Sequence, residues 1–241
     1  MRAKPLGAGN PVIVGLIDTT NQAPNLCGGL GSFILPGISV AGGAATTTSE
    51  PSHSSTMAAT ILHSIAINSG GQTAAKILPV DVYGATTTTT TTFNVASGIY
   101  AAVNAGANII NLSLGSSGDS TFLHSVIISA NKQGVIFFGA AGNEPVTTPT
   151  YPAAYPEVVA VTAGNSDGTV ASYANRGSFV SVVAPGNSAV CYDGQPWLVQ
   201  GTSASTAIVS GLAAAAADGS GMTPAQVQSA VVNELPKVKI P

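Results

Sequence analysis

The sequence predicts an α/β protein with a mostly parallel central sheet and helices on both faces. Three observations predict it: short apolar runs rich in β-branched residues recur along the chain, stretches of helical length separate them, and each run is bounded by Gly, Asn or Pro. The first run, Val12-Ile13-Val14-Gly15-Leu16-Ile17, ends at a lone Asp18 and reads as a strand buried on both faces. Runs of the same character cover Lys76 to Val82, Ile109 to Leu114, Val135 to Phe138, Val158 to Thr162 and Val180 to Val183. Helices are expected over Ser54 to Ile67, Asn94 to Ala105, Ser120 to Lys132 and Ser203 to Ala217. There, small or apolar residues repeat at three- and four-residue intervals, and Gly106, Gly134 and Gly219 are placed as stops. The threonine run Thr86 to Thr92 reads either as a solvated loop or, because β-branching favours extended backbone, as an exposed edge strand.

Composition narrows the function classes. The chain has 241 residues, of which 45% are hydrophobic and 7% charged, against about 25% charged in ordinary domains. It is expected to fold, as one domain over residues 1–241. A net charge of −3 with no basic stripe argues against a nucleic-acid partner. The longest weakly polar stretch, Ala207 to Ala217, is about half of the ~20 apolar residues a membrane span needs, so no membrane partner is expected. Arg2 and Lys4 are followed by no apolar core of signal-peptide length, so no secretion signal is expected in this chain. Cys27 and Cys191 are too few for a disulfide scaffold and lack zinc or C-x-x-C spacing; a single bridge and two free thiols both remain open.

In parallel sheets ligands sit outside the carboxyl ends of the strands, which draws attention to Asp18, to Asn111-Leu112-Ser113-Leu114-Gly115 and to Gly142-Asn143-Glu144. Asp18 either caps a turn or orients a cation or an imidazole, because a bare buried carboxylate is costly. His53 opens a helix, where it reads as a surface residue on position alone. Ser203 follows Gly201-Thr202 at the start of an Ala-rich helix, where most serines are caps. Together they are the Asp, His and Ser that base-assisted nucleophilic catalysis requires, in the chain order found in subtilisin.

The sequence resembles the subtilisin-like serine proteases, or subtilases, over nearly its whole length. Gly201-Thr202-Ser203-Ala204-Ser205-Thr206-Ala207-Ile208-Val209-Ser210-Gly211 is similar to the family's block around the nucleophile. Asn111 to Gly115 and Ala140-Ala141-Gly142-Asn143-Glu144 resemble the two walls of its primary specificity pocket, and Tyr155-Pro156-Glu157-Val158 and Val183-Ala184-Pro185-Gly186 follow in the expected order. The resemblance implies a three-layer subtilisin-like fold and a serine endopeptidase without a cofactor. In it Ser203 is the nucleophile, His53 the base, Asp18 its orienter, and Asn143 with the Ser203 N–H the oxyanion hole. It further implies that Thr87, Thr88, Thr89 and Thr91 pair with an extended polypeptide substrate on one side and Ser113, Leu114 and Gly115 on the other. Thr91, Thr92 and Val95 then shape a subsite upstream of the scissile bond. Ala140, Ala141, Gly142 and Gly115, with Thr150 near the floor, form small neutral walls suited to an apolar residue before that bond, and Glu144 at the mouth tolerates a basic one.

The chain also departs from the family. Ser54-Ser55-Thr56 stands where Gly-Thr-His usually follows the histidine, and Ala207-Ile208 where Pro-His follows the nucleophile. The first change raises a rival reading, a peptide-binding pseudoprotease. The second raises another, peptide ligation or macrocyclisation with the same residues. Ser64 to Gly71 holds no acidic residue where some relatives carry a calcium loop, so no metal site is expected and stability should not depend on calcium. His63 and His124 match no family role and read as structural. Low charge and high Ala, Gly, Ser and Thr content suit an extracellular protein, expected as a monomeric mature or excised catalytic domain whose pro-segment acts in cis during folding.

Overall fold

A computed structural model describes residues 1–6, 9–42, 49–84 and 88–236. The chain forms β1 (Ile13–Asp18), two short 3-10 turns (Ala23–Asn25 and Leu30–Phe33), β2 (Ile38–Ser39), α1 (His53–Asn68), β3 (Lys76–Asp81), α2 (Thr92–Asn104) and β4 (Ile109–Leu112). It continues through α3 (Thr121–Asn131), β5 (Ile136–Ala140), β6 (Val158–Gly164), β7 (Val182–Pro185), β8 (Asn187–Tyr192), β9 (Gln195–Gln200), α4 (Thr202–Ala217) and α5 (Pro224–Glu234). Seven strands form one sheet in the order β2-β3-β1-β4-β5-β6-β7. Every pairing in it is parallel, while β8 and β9 form a separate antiparallel hairpin.

Side-chain alternation divides the core between the two faces of this sheet. Val14 and Leu16 of β1 point to one face, where they join Ile77, Ile109 and Phe138 under Met57, Ile61 and Ile65 of α1 and Val209 and Ala213 of α4. Ile13 and Ile17 point to the other, joining Val80, Ile110 and Phe137 under α2 and α3 through Ile99, Val103, Leu123 and Ile127. Burial on both faces explains why these strands read as continuous apolar runs rather than alternating ones. Gly211 allows α1 and α4 to touch, since a Cβ there would lie 2.5 Å from Ser64 Cβ and 2.6 Å from the Ile61 carbonyl oxygen. Among the described residues no helix is long and apolar enough to cross a membrane.

Several boundaries and elements differ from the expectations. The sixth run pairs as Val182–Pro185 rather than from Val180, because Val180 closes a turn on Gly177. β2, the β8–β9 hairpin and α5 were not anticipated. The hairpin turns on Asp193 and Gly194, both at positive φ, and α5 opens with a capping box between Thr223 and Gln226. Thr88 to Thr91 pair with no strand among the described residues, and Thr91 is extended at φ −109° and ψ 154°; Thr86 and Thr87 lie outside the described residues. The edge beside β3 is occupied by β2 instead. The Thr90 hydroxyl donates to the Val82 carbonyl, as does Asn94 Nδ2 at 3.3 Å, and Thr91 caps α2 by accepting from Asn94 N.

Cys27 and Cys191 form a disulfide with Cα atoms 5.4 Å apart across 164 residues of sequence. It ties the segment after β1 to the hairpin that leads into α4, and the join is reinforced by hydrogen bonds from Cys27 N to the Cys191 carbonyl and from Asp193 N to the Asn25 carbonyl. Cross-linking so distant a pair restricts the unfolded chain, and removing such a bridge costs about 2–5 kcal/mol. The Cys27→Ser, Cys191→Ser double variant is therefore expected to melt lower by roughly 2–4 °C per kcal/mol lost. Calorimetry that finds the melting temperature unchanged would contradict this.

Candidate active site

Strand register brings the candidate residues to one edge of the sheet. β1 ends at Asp18, which pairs with Asp81 of β3, and its neighbour Ile17 pairs with Leu112 of β4, one residue before Ser113. Asp18 is 1% exposed, so its carboxylate needs partners. Oδ1 accepts from Thr19 N at 2.7 Å and from the Thr19 hydroxyl at 3.2 Å. Both carboxylate oxygens lie 2.8 Å from His53 Nδ1. His53 is the first residue of α1, whose cap is Ser52, accepting from Ser55 N. The Asp18 carboxylate raises the His53 pKa above its ordinary 6.5, against an opposing contribution from desolvation. With Nδ1–H donated to the carboxylate, the proton-accepting nitrogen of the neutral ring is Nε2, on a side chain that is 41% exposed.

Ser203 is the second residue of α4, which Thr202 opens directly after Gly201, whose φ of 140° only glycine adopts readily. Its hydroxyl donates to the Ser113 carbonyl at 3.3 Å, and among the described residues no hydrogen bond joins it to His53. The Ser113 hydroxyl donates to the Ser203 carbonyl at 3.2 Å and accepts from Asn111 Nδ2 at 2.9 Å, while Asn111 Oδ1 accepts from Ser210 at 2.9 Å. These bonds stitch β4 to the first turns of α4. Asn143 Oδ1 accepts from Thr202 N at 2.9 Å and from the Thr202 hydroxyl at 3.1 Å. A backbone N–H can only donate, so the amide oxygen must face Thr202 and Nδ2 must face away. Nδ2 has no partner among the described residues, and it lies beside the Ser203 turn.

A cavity of about 540 Å³ opens beside Ser203, lined by Ser113, Leu114, Gly115, Ala140, Gly142, Asn143, Glu144 and Thr150. Ala141 departs from the expectation: it is fully buried behind this wall rather than lining it. A second cavity of about 250 Å³ is lined by Thr88 to Thr92, Val95, Leu114 and Gly115, and the two hollows share Leu114, Gly115 and Ser116. Of the expected threonines, Thr88, Thr89 and Thr91 line it, and Thr87 lies outside the described residues.

Sequence reasoning missed two residues here. Asn175, 2% exposed, accepts from Glu144 N at 2.8 Å and donates to the Ala141 carbonyl at 2.8 Å and to Thr150 at 3.1 Å. It thus ties the Ala140–Glu144 wall of the larger cavity to Thr150, yet a lone Asn in a loop offers no periodic signal. Tyr83 lines the smaller cavity, and burial and the Asp18 charge raise the pKa of its phenol. His124 Nε2 donates to Glu157 Oε2 at 2.8 Å and the ring stacks on Tyr155, and His63 is exposed; neither belongs to the cluster around Asp18. Among the described residues no three His, Cys, Asp or Glu side chains are grouped to hold a metal ion.

Residues 9–240 match the model of the subtilase family, Peptidase_S8. The chain is 34% identical over 221 residues to the Thermostable alkaline protease of Halalkalibacterium halodurans, a match covering 86% of this chain and 56% of that protein. It is 34% identical over 190 residues to the M-protease of Shouchella clausii, covering 74% and 50%, and over 190 residues to Subtilisin Savinase of Lederbergia lenta, covering 74% and 70%. The chain thus spans about half the length of the first two. Among solved structures, the protease domain of PatA superposes with a TM-score of 0.74 at 25% identity, covering 94% of this chain and 88% of that one. A cold-adapted subtilisin-like serine proteinase superposes with a TM-score of 0.72 at 29% identity, covering 95% and 82%.

The His53–Asp18 geometry has a pH consequence. Because the folded value is raised, the ionised pair contributes stability in full below the ordinary imidazole value and loses it as pH rises through the folded one. NMR titration of the His53 imidazole is expected to give a midpoint above 6.5 that falls in Asp18→Asn. A parent midpoint at or below the ordinary value would show that the pair is not formed in solution.

Proposed function

Because this chain belongs to the subtilase family, we propose that it is a serine endopeptidase hydrolysing peptide bonds through Asp18, His53 and Ser203. The observation that carries this reading is the pairing of His53 Nδ1 with the buried Asp18 carboxylate at 2.8 Å, at the same sheet edge as Ser203. Ser203 Oγ attacks the scissile carbonyl carbon and its proton passes to His53 Nε2, with Asp18 stabilising the imidazolium. The oxyanion is held by the Ser203 N–H, at a helix N-terminus that favours negative charge, and by Asn143 Nδ2. Collapse breaks the C–N bond as His53 returns the proton to the leaving amine. Water, deprotonated by the same imidazole, then releases the acyl group and restores the Ser203 hydroxyl. No step needs a metal.

The apo distances are compatible with this sequence of steps, since catalytic hydrogen bonds commonly tighten only when substrate arrives. The departures from the family pattern also fit activity better than a pseudoprotease. Ser54 sits in regular helix with its hydroxyl accepting from Asn21 at 3.1 Å, and α4 runs unbroken through Ala207. A polypeptide would lie between Thr88 to Thr91 and Ser113 to Gly115, with one side chain in the 540 Å³ cavity. An extracellular location is supported by the disulfide, which persists in oxidising compartments. A monomer that folds with the help of a pro-segment completes the reading.

Intact-mass measurement after a fluorophosphonate probe is expected to show one adduct on Ser203 that is lost in Ser203→Ala and weakened in His53→Ala. Asn143→Ala should lower kcat about 10²–10³-fold, the size of this effect in subtilisin. No adduct on folded protein would point to the peptide-binding alternative. Product analysis of a peptide ester with an added amine separates hydrolysis from ligation, and mainly aminolysed product would replace the hydrolase reading with the ligase one.

The neutral walls of the larger cavity set a further expectation. A positional library should show apolar medium-sized or large residues preferred before the cleaved bond, with basic ones tolerated through Glu144. A profile led by acidic residues would refute this assignment of the pocket.

A further inference from the structure

The first turn of any α-helix carries N–H groups with no partner inside the helix. In α1 two of these groups are met from the residues that follow Asp18, and a third, Ser55 N, by the Ser52 cap. Ser54 N donates to the Thr19 hydroxyl at 3.1 Å, and Ser52 N donates to Gln22 Oε1 at 2.8 Å. The serine hydroxyls complete the join: Ser54 Oγ accepts from Asn21 Nδ2 at 3.1 Å and Ser55 Oγ accepts from Gln22 N at 2.8 Å. The bonds fall on both sides of His53, at residue 52 and at residues 54 and 55. Ser54 and Ser55 are fully buried and Gln22 is 6% exposed, so water does not compete for them. A side chain at position 54, where the family usually has glycine, thus meets a purpose-fitted amide.

We propose that Asn21 and Gln22 are positioning residues for His53, which grip Ser52, Ser54 and Ser55 and so hold the imidazole against Asp18. The kinetic part of its test rests on the hydrolase reading; the spectroscopic part does not. Asp18 is the charged group that faces the ring; Asp81, its register partner on β3, and Tyr83, on the segment after β3, are the other titratable groups beside that carboxylate. Loosening the grip lets the ring drift from Asp18 and removes the cause of its raised pKa.

The test compares Asn21→Ala, Ser54→Ala and their combination with the parent. Each single variant is expected to move the His53 NMR midpoint down toward the ordinary imidazole value and to lower kcat about tenfold, the size of one net hydrogen bond, with KM within about twofold. The combined variant should lose no more than either single one, because both remove the same bond. Ser54→Gly, which restores the family's residue, should behave like Ser54→Ala and covers the case in which Asn21→Ala does not fold. Thr73→Ala removes the distant bond to Asp218, and should lower the melting temperature without moving the midpoint or kcat. The proposal is overturned if folded Asn21→Ala and Ser54→Gly keep the parent's midpoint and kcat, whatever their stability. If the parent shows no Ser203-dependent turnover, the hydrolase reading fails while the NMR midpoints still decide this one.

Discussion

A carboxylate buried at the end of a central strand is the constraint around which the rest of the site is arranged. A bare carboxylate at 1% exposure is costly without donors, and the fold supplies Asp18 with them from two directions. Thr19 donates from the strand's own continuation, and His53 from the head of a helix more than thirty residues away. Satisfying the carboxylate therefore fixes where α1 begins, and fixing α1 places the imidazole. Stability and chemistry share the same atoms here, which is why the first turn of α1 is so densely bonded to the residues after Asp18.

A second set of polar contacts does for Ser203 what this one does for His53. Asn111, Ser113 and Ser210 join β4 to α4 through buried hydrogen bonds, and Thr202 fixes which way the Asn143 amide points. Asn175 extends the order outward, binding Ala141, Glu144 and Thr150 around the cavity beside Ser203. Each of these side chains is neutral. The candidate site is thus held mainly by short-range, directional bonds rather than by charge, consistent with a chain in which only 7% of residues are charged.

The parallel sheet was legible because strands buried on both faces are predominantly apolar, as Val12 to Ile17 and Val135 to Phe138 are. Asp18 and His53 stood out as candidates because charged and imidazole groups are so scarce here, and Ser203 and Asn143 because the blocks around them resemble one family. What stayed hidden was two-dimensional in origin. β2 is two residues long and exists only because β3 offers it an edge, and Asn175 matters only through loops that meet in space. The hairpin and α5 carry local signals, Asp193-Gly194 and Thr223-Pro224, but their polar-rich segments lack the continuous apolar run that marks the buried elements. The cysteine spacing left a bridge and free thiols equally open, since 164 residues of separation say nothing about proximity.

The position of that bridge relative to the site residues sets how the molecule tolerates being cut. Asp18 precedes Cys27 and Ser203 follows Cys191, whereas His53 and Asn143 lie within the loop that the disulfide closes. A single backbone break anywhere between residues 27 and 191 leaves both fragments covalently joined, so neither can diffuse away. For a molecule whose proposed chemistry is the cleavage of polypeptides, its own kind included, the cross-link turns a first nick from a dissociation into a local event, and the sheet retains the chance to hold its geometry.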